Sequence, residues 1–184
     1  MAIQINTRLA AFILCGIAST IPSPAFSVSE EVQRNLELIA DGHKRGNQVV
    51  MNQGVSGLER LASNGNADAA WNLSAFHLFD LPGKPPNKVL QCKWGLKAAQ
   101  MGVVDAYFTA ADCSKTMGKN AVDSFVNYQI PWIRKIASSG TAEDKEWADG
   151  VLREYELALQ ESRRPAGKLS LGAVLKKLDD NGRR

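Results

Sequence analysis

One pattern in the chain returns after 37 to 38 residues, and this interval limits the folds open to it. Leu61-Ala62-Ser63-Asn64-Gly65-Asn66-Ala67-Asp68-Ala69 stands 37 residues before Ala98-Ala99-Gln100-Met101-Gly102-Val103-Val104-Asp105-Ala106, with the Ala, Gly, Asp and second Ala in register. Lys93-Trp94-Gly95-Leu96-Lys97-Ala98-Ala99-Gln100-Met101-Gly102 is answered 38 residues later by Pro131-Trp132-Ile133-Arg134-Lys135-Ile136-Ala137-Ser138-Ser139-Gly140. A unit of this size holds two helices and a turn but cannot bury its own apolar face, so neighbouring units must cover one another.

Within each unit, helix-forming residues run into a Gly able to take the left-handed conformation that closes a helix. Asp68, Asp105 or Glu143 then falls in the first turn of the next helix, where a negative charge suits the positive end of the dipole. Asp80-Leu81-Pro82-Gly83-Lys84-Pro85-Pro86-Asn87 has no helix-compatible reading and separates one hairpin from the next. The coarse map is a leading helix from about Ser29 to Asp41, followed by hairpins centred on Gly65, Gly102 and Gly140.

These residues resemble the Sel-one-like repeats, a branch of the tetratricopeptide (TPR) superfamily. The family motif couples a first helix ending Trp-x-x-Lys-Ala-Ala-x-x-Gly to a second beginning Ala/Asp-Ala-x-x-Asn-Leu-Gly. Lys93 to Gly102 matches the first half, and Asp68-Ala69-Ala70-Trp71-Asn72-Leu73-Ser74 matches the second with Ser74 in place of Gly. The likeness spans about residues 48 to 140 and fades beyond, where Thr141-Ala142-Glu143-Asp144-Lys145-Glu146-Trp147 lacks the Ala-x-x-Asn-Leu pattern. Pro131 should kink its helix or start a new segment. The resemblance implies an all-α fold, a short right-handed α-solenoid of antiparallel helical hairpins with terminal capping helices, which binds proteins on a curved surface. Val32, Leu36 and Ile39 on the leading helix are placed to cover one end. Trp147, Val151, Tyr155, Ala158 and Leu159 form a stripe able to close the other.

The expected organisation is a signal peptide over residues 1–25, a leading capping helix over 26–47, helical repeats over 48–162 and a basic amphipathic tail over 163–184. In the first segment Arg8 precedes the apolar run Leu9 to Ala18, no acid occurs before Glu30, and Ser23-Pro24-Ala25 offers small residues before a cut ahead of Phe26. That run is short of the ~20 residues that span a bilayer. The expectation is export to a bacterial periplasm, with no integral membrane segment after signal removal.

Cys92 and Cys113 flank Gly102 at ten and eleven residues, so in an antiparallel hairpin they stand level. Cys92, Gly95 and Ala99 share one helix face, and Ala106, Thr109, Ala110 and Cys113 share the opposing one. Helix axes ~8–10 Å apart bring facing α-carbons within reach of a disulfide. In an oxidising compartment the pair is expected to be bonded rather than free.

The remaining residues offer little chemistry. Gly54-Val55-Ser56-Gly57 lacks the spacing of a hydrolase nucleophile elbow, and its flanks read as helix. His77 is expected to be packed or partly exposed rather than a general base, and His43 falls in a turn. Asn72-Leu73-Ser74 matches a glycosylation acceptor but lies in a helix. No phosphate loop, zinc spacing or ion-binding loop occurs, so neither catalytic residues nor a metal nor a cofactor is expected. Trp71, Trp94, Trp132 and Trp147 read as core packers.

The formal charge of +3 conceals a division. Residues 163–184 carry seven cations and two anions, whereas residues 26–162 carry 14 cations and 17 anions. A net of −3 gives the repeats no general attraction to nucleic acid. In the tail Leu171, Val174, Leu175 and Leu178 form a stripe with Lys176 and Lys177 beside it. The tail reads as a terminal cap or an unfolded segment, with a partner-binding or membrane-surface helix as the alternative. Lys93, Lys97 and these six tail residues are the candidate contacts to another cell-envelope protein. The functional expectation is a non-enzymatic adaptor, envelope-signalling regulator or toxin-neutralising immunity protein. The alternative is a cell-wall glycan-binding protein or hydrolase using a solenoid groove.

Overall fold

The computed structural model describes residues 29–81 and 84–162. These residues are helical apart from turns and one connector, with no β-strand among them beyond an isolated bridge between Leu81 and Lys84. Seven helices follow in order: α1 (Glu30–Lys44), α2 (Gln48–Ser63), α3 (Ala67–Leu78), α4 (Lys88–Gln100), α5 (Ala106–Cys113), α6 (Ile130–Ser139) and α7 (Ala142–Ser162). The principal packing is between successive elements: α1 on α2, α2 on α3, α3 on α4, α4 on α5, α5 on α6 and α6 on α7. The expected signal segment and tail lie outside the described residues.

Asparagine starts α2, α3 and α4. Asn47 accepts from the backbone N–H groups of Val49 and Val50, Asn66 from Ala69 and Asn87 from Leu90. Each side-chain oxygen takes up donors that have no partner inside the helix. Ser29 does the same for α1 through the N–H of Val32. Asp68 lies in the first turn of α3 as expected, whereas Asp105 is the residue before α5 and makes no side-chain capping bond.

The turns at Gly65 and Gly102 are alike in detail. Both glycines have φ +92°, and the N–H of the next residue returns to the carbonyl five residues back, Asn66 to Leu61 at 3.0 Å and Val103 to Ala98 at 3.1 Å. This is the left-handed closure expected there. The same pattern ends α1 at Gly46, where Asn47 donates to Gly42 at 2.7 Å, so the leading helix enters α2 through a hairpin turn of its own. Gly140 departs from the expectation: its φ is −69°, and Thr141 and Asp144 instead exchange bonds at the start of α7.

α1 and α2 meet closely because α2 carries glycine where side chains would collide. A Cβ on Gly54 would stand 2.5 Å from the Asn35 carbonyl oxygen, and one on Gly57 would stand 1.8 Å from the Asn35 side chain. The Gly54 and Gly57 pair therefore serves helix packing. Val32 is fully buried, and Leu36 and Ile39 pack against the core as the sequence suggested.

Between α5 and α6 the chain is less regular. A 3₁₀ turn (Ser114–Thr116) leads to a single α-turn (Ala121–Asp123) and a π-helical stretch (Ser124–Gln129). Pro131 then occupies the first turn of α6, directly after the π-helical stretch. The helical backbone runs on through it, with the change from π to α geometry falling at Ile130.

Cys92 and Cys113 are bonded, with α-carbons 5.5 Å apart, joining α4 to α5. The small residues between them do what their size allows: a Cβ on Gly95 would lie 2.5 Å from the Thr109 methyl. Ser74 on α3 adds a buried hydrogen bond to the Gln91 carbonyl of α4 at 3.0 Å. This places Asn72-Leu73-Ser74 in a packed helix face.

Candidate partner-binding surface

The 38-residue interval reappears as repeated side-chain geometry. Trp94 on α4 and Trp132 on α6 are each followed three residues later by a lysine, which places indole and ammonium on neighbouring positions of one helix face. Lys97 Nζ lies 5.7 Å from the Trp94 ring centre, and Lys135 Nζ lies 4.8 Å from that of Trp132. Lys93 approaches Trp94 at 4.6 Å. Tyr107 of α5 stacks on Trp132 at 5.9 Å and faces Lys135 at 5.4 Å. Cation–π attraction is worth ~0.5–1 kcal/mol at such partly exposed sites. It fixes where the positive charge is held.

Lys97 also reaches across hairpins. Its Nζ donates to the Ser63 carbonyl at 3.5 Å, in the last turn of α2, where carbonyls lack helical partners and cations are favoured. In the preceding unit the position equivalent to Trp94 is Gly57, where α1 presses Asn35 against α2. The repeated aromatic–lysine surface therefore begins at α4.

Of the sequence-derived contact residues, the structure brings Lys93 and Lys97 together around Trp94. Lys93 is exposed, while Lys97 is half-buried and engaged with Ser63. Leu171, Val174, Leu175, Lys176, Lys177 and Leu178 lie outside the described residues. Lys135 was missed, although its 38-residue offset from Lys97 is legible in the sequence.

Not every tryptophan is a core packer. Trp94 is 3% exposed and Trp71 and Trp132 are half-buried, but Trp147 is 47% exposed. Ala148 takes the inward position on α7, with Val151, Leu152, Tyr155 and Leu159 following it into the core. Trp147 is left one position around the helix, tilted against the exposed Phe108 ring of α5 at 5.3 Å.

His77 is packed at the end of α3, only 5% exposed, with neither ring nitrogen hydrogen-bonded. Burial, and then the nearby Lys84 charge, lower its pKa from 6.5 to about 4. Lys84 Nζ sits 3.9 Å above the Phe76 ring and donates to the Phe76 carbonyl at 3.0 Å, and burial pulls its own pKa down. This arrangement keeps the imidazole neutral but offers it no carboxylate to orient it, so it is built as packing.

At the α4–α5 contact Asp112 receives Lys88 at 2.6 Å and Lys115 at 3.1 Å. Burial works to raise the Asp112 pKa, but the hydrogen bonds from Lys88 and Lys115 hold it below the ordinary carboxylate value. Among the described residues no group of three or more His, Cys, Asp or Glu side chains is placed to hold a metal ion. No described helix is long and apolar enough to cross a membrane.

Comparison of the chain with known proteins found no matching family model, no matching curated relative and no matching solved structure. The internal repeat and the surface chemistry built on it therefore carry the functional reading.

Proposed function

We propose that the protein is a non-enzymatic protein–protein interaction module of the bacterial cell envelope, built as a short right-handed α-solenoid of the Sel-one-like, TPR-like kind. The observation that carries this reading is the recurrence of the Trp-x-x-Lys stack, Trp94 with Lys97 and Trp132 with Lys135, at the interval of the repeat. A core requires only the indoles. Lysines held over them at a regular spacing present positive charge, with the half-buried Trp132 ring beside it at the second position, a surface suited to acidic side chains of another protein.

The Cys92–Cys113 bond supports export, because such bonds persist in oxidising compartments such as the periplasm. Within this reading the protein acts as an adaptor, as a regulator holding an envelope sensor, or as an immunity protein neutralising a toxin.

The test is affinity capture from periplasmic extract with the exported protein and with a Lys93→Glu/Lys135→Glu variant. The expected result is one reproducible partner, recovered at least tenfold less by the variant. Equal recovery by both proteins would remove the lysine surface from the interface. Recovery of no partner, together with turnover of cell-wall fragments, would overturn the reading in favour of an enzyme.

A further inference from the structure

Among the described residues Phe108 and Trp147 are exposed aromatic rings in contact with each other. The two rings are 39% and 47% exposed and lie 5.3 Å apart, bridging α5 and α7. Gly150, one turn beyond Trp147, has no atom within 4 Å of where a Cβ would stand, so the surface beside the indole is open there. Trp71, 37 residues before Phe108, is half-buried. Trp147 belongs to the last described helix, where no further described element follows to cover it.

We propose that the chain's own segment Leu171 to Leu178 docks on the Phe108–Trp147 pair and closes this end of the molecule. Three features select this occupant. The first is chemistry: Leu171, Val174, Leu175 and Leu178 recur at three- and four-residue spacing, the pattern of an amphipathic helix seating in an apolar groove. The second is charge. α7 carries seven acids and two bases, a net of −5, and residues 163–184 carry seven bases and two acids, a net of +5. Glu143, Asp144 and Glu154 share the Trp147 side of α7.

The third is reach. Trp147 lies 15 residues before Ser162, or ~22 Å along the helix. Residues 163–170 provide eight residues of connection, spanning up to ~26 Å when extended. Pro165 and Gly167 in this connection suit a change of direction. A single chain therefore places the stripe on the aromatic pair without a second copy. The inference does not depend on the partner-binding reading of the lysine surface.

Acrylamide quenching of tryptophan fluorescence tests it on the full chain. The Trp147 contribution is isolated by comparison with a Trp147→Phe variant. A Leu171→Asp/Leu175→Asp variant, checked for unchanged helicity by circular dichroism, is expected to raise the quenching constant of Trp147 about twofold. The Trp147→Phe background should be insensitive to the same tail substitutions. Carbodiimide coupling should join Lys176 or Lys177 to an α7 acid within monomers at every protein concentration. Unchanged quenching overturns the proposal. So does coupling found only in dimers, which would make a second copy the occupant. Shielding that appears only with vesicles of anionic lipid also overturns it, in favour of a membrane surface.

Discussion

His77 shows how much a single residue can reveal about its surroundings. An imidazole 5% exposed, with both nitrogens unbonded and an ammonium nearby, is held neutral down to pH about 4. The unfolded chain takes up a proton near pH 6.5, so between these values the unfolded state binds more protons. The His77 contribution is fully retained above pH 6.5 and is lost as pH falls towards 4. A His77→Phe variant should accordingly flatten the acid limb of the stability curve, removing about 2–3 kcal/mol of its fall between pH 7 and pH 4. Urea unfolding at a series of pH values measures this. A slope equal to that of the unsubstituted protein would show that His77 is protonated in the fold. The sequence placed His77 near a helix end but could not show the nearby charge of Lys84, which comes from beyond Pro82 and Gly83 in the connector.

Among the elements, the α4–α5 hairpin was the most legible. Its cysteines lie ten and eleven residues from Gly102, and its small residues face one another at the spacing that 3.6 residues per turn sets. The bond is expected to stabilise the fold by about 3 kcal/mol by closing a loop of 21 residues in the unfolded chain. Urea unfolding with and without reductant, alongside a Cys92→Ala/Cys113→Ala variant, measures that difference. Two thiols labelled by alkylation without reductant would exclude the bond. Other elements were less legible for physical reasons. The π-helical stretch before α6 has no spacing signature, since Pro131 marks only where it ends. In α7 the expected stripe holds at Val151, Tyr155, Ala158 and Leu159 but not at Trp147, because Trp147 outweighs Ala148 in any apolar count while Ala148 is the residue that turns inward. The turn at Gly46 carries the same Gly-Asn pair as Gly65-Asn66, a signal present in the sequence but passed over.

At the scale of the whole molecule, a near-neutral charge and one continuous core conceal a directional construction. The apolar cluster runs from Val32 in α1 to Tyr155 in α7, yet its principal contacts pass from each element to the next. In the proposed solenoid, stability is a sum of neighbour terms, so damage at one end need not be felt at the other. Leu58 of α2 and Ile136 of α6 are both fully buried, and replacing either with Ala should cost about 2–5 kcal/mol in its own surroundings. Leu58→Ala should speed native-state amide exchange mainly in α1 to α3, and Ile136→Ala mainly in α6 and α7. The disulfide-clamped α4 and α5 should retain most protection in both variants. Equal acceleration at every helix in both variants would instead mark a single cooperative unit. That outcome would remove the physical basis for treating the 37- to 38-residue interval as a stack of separable units, because the coupling between units would then rival the cohesion within them.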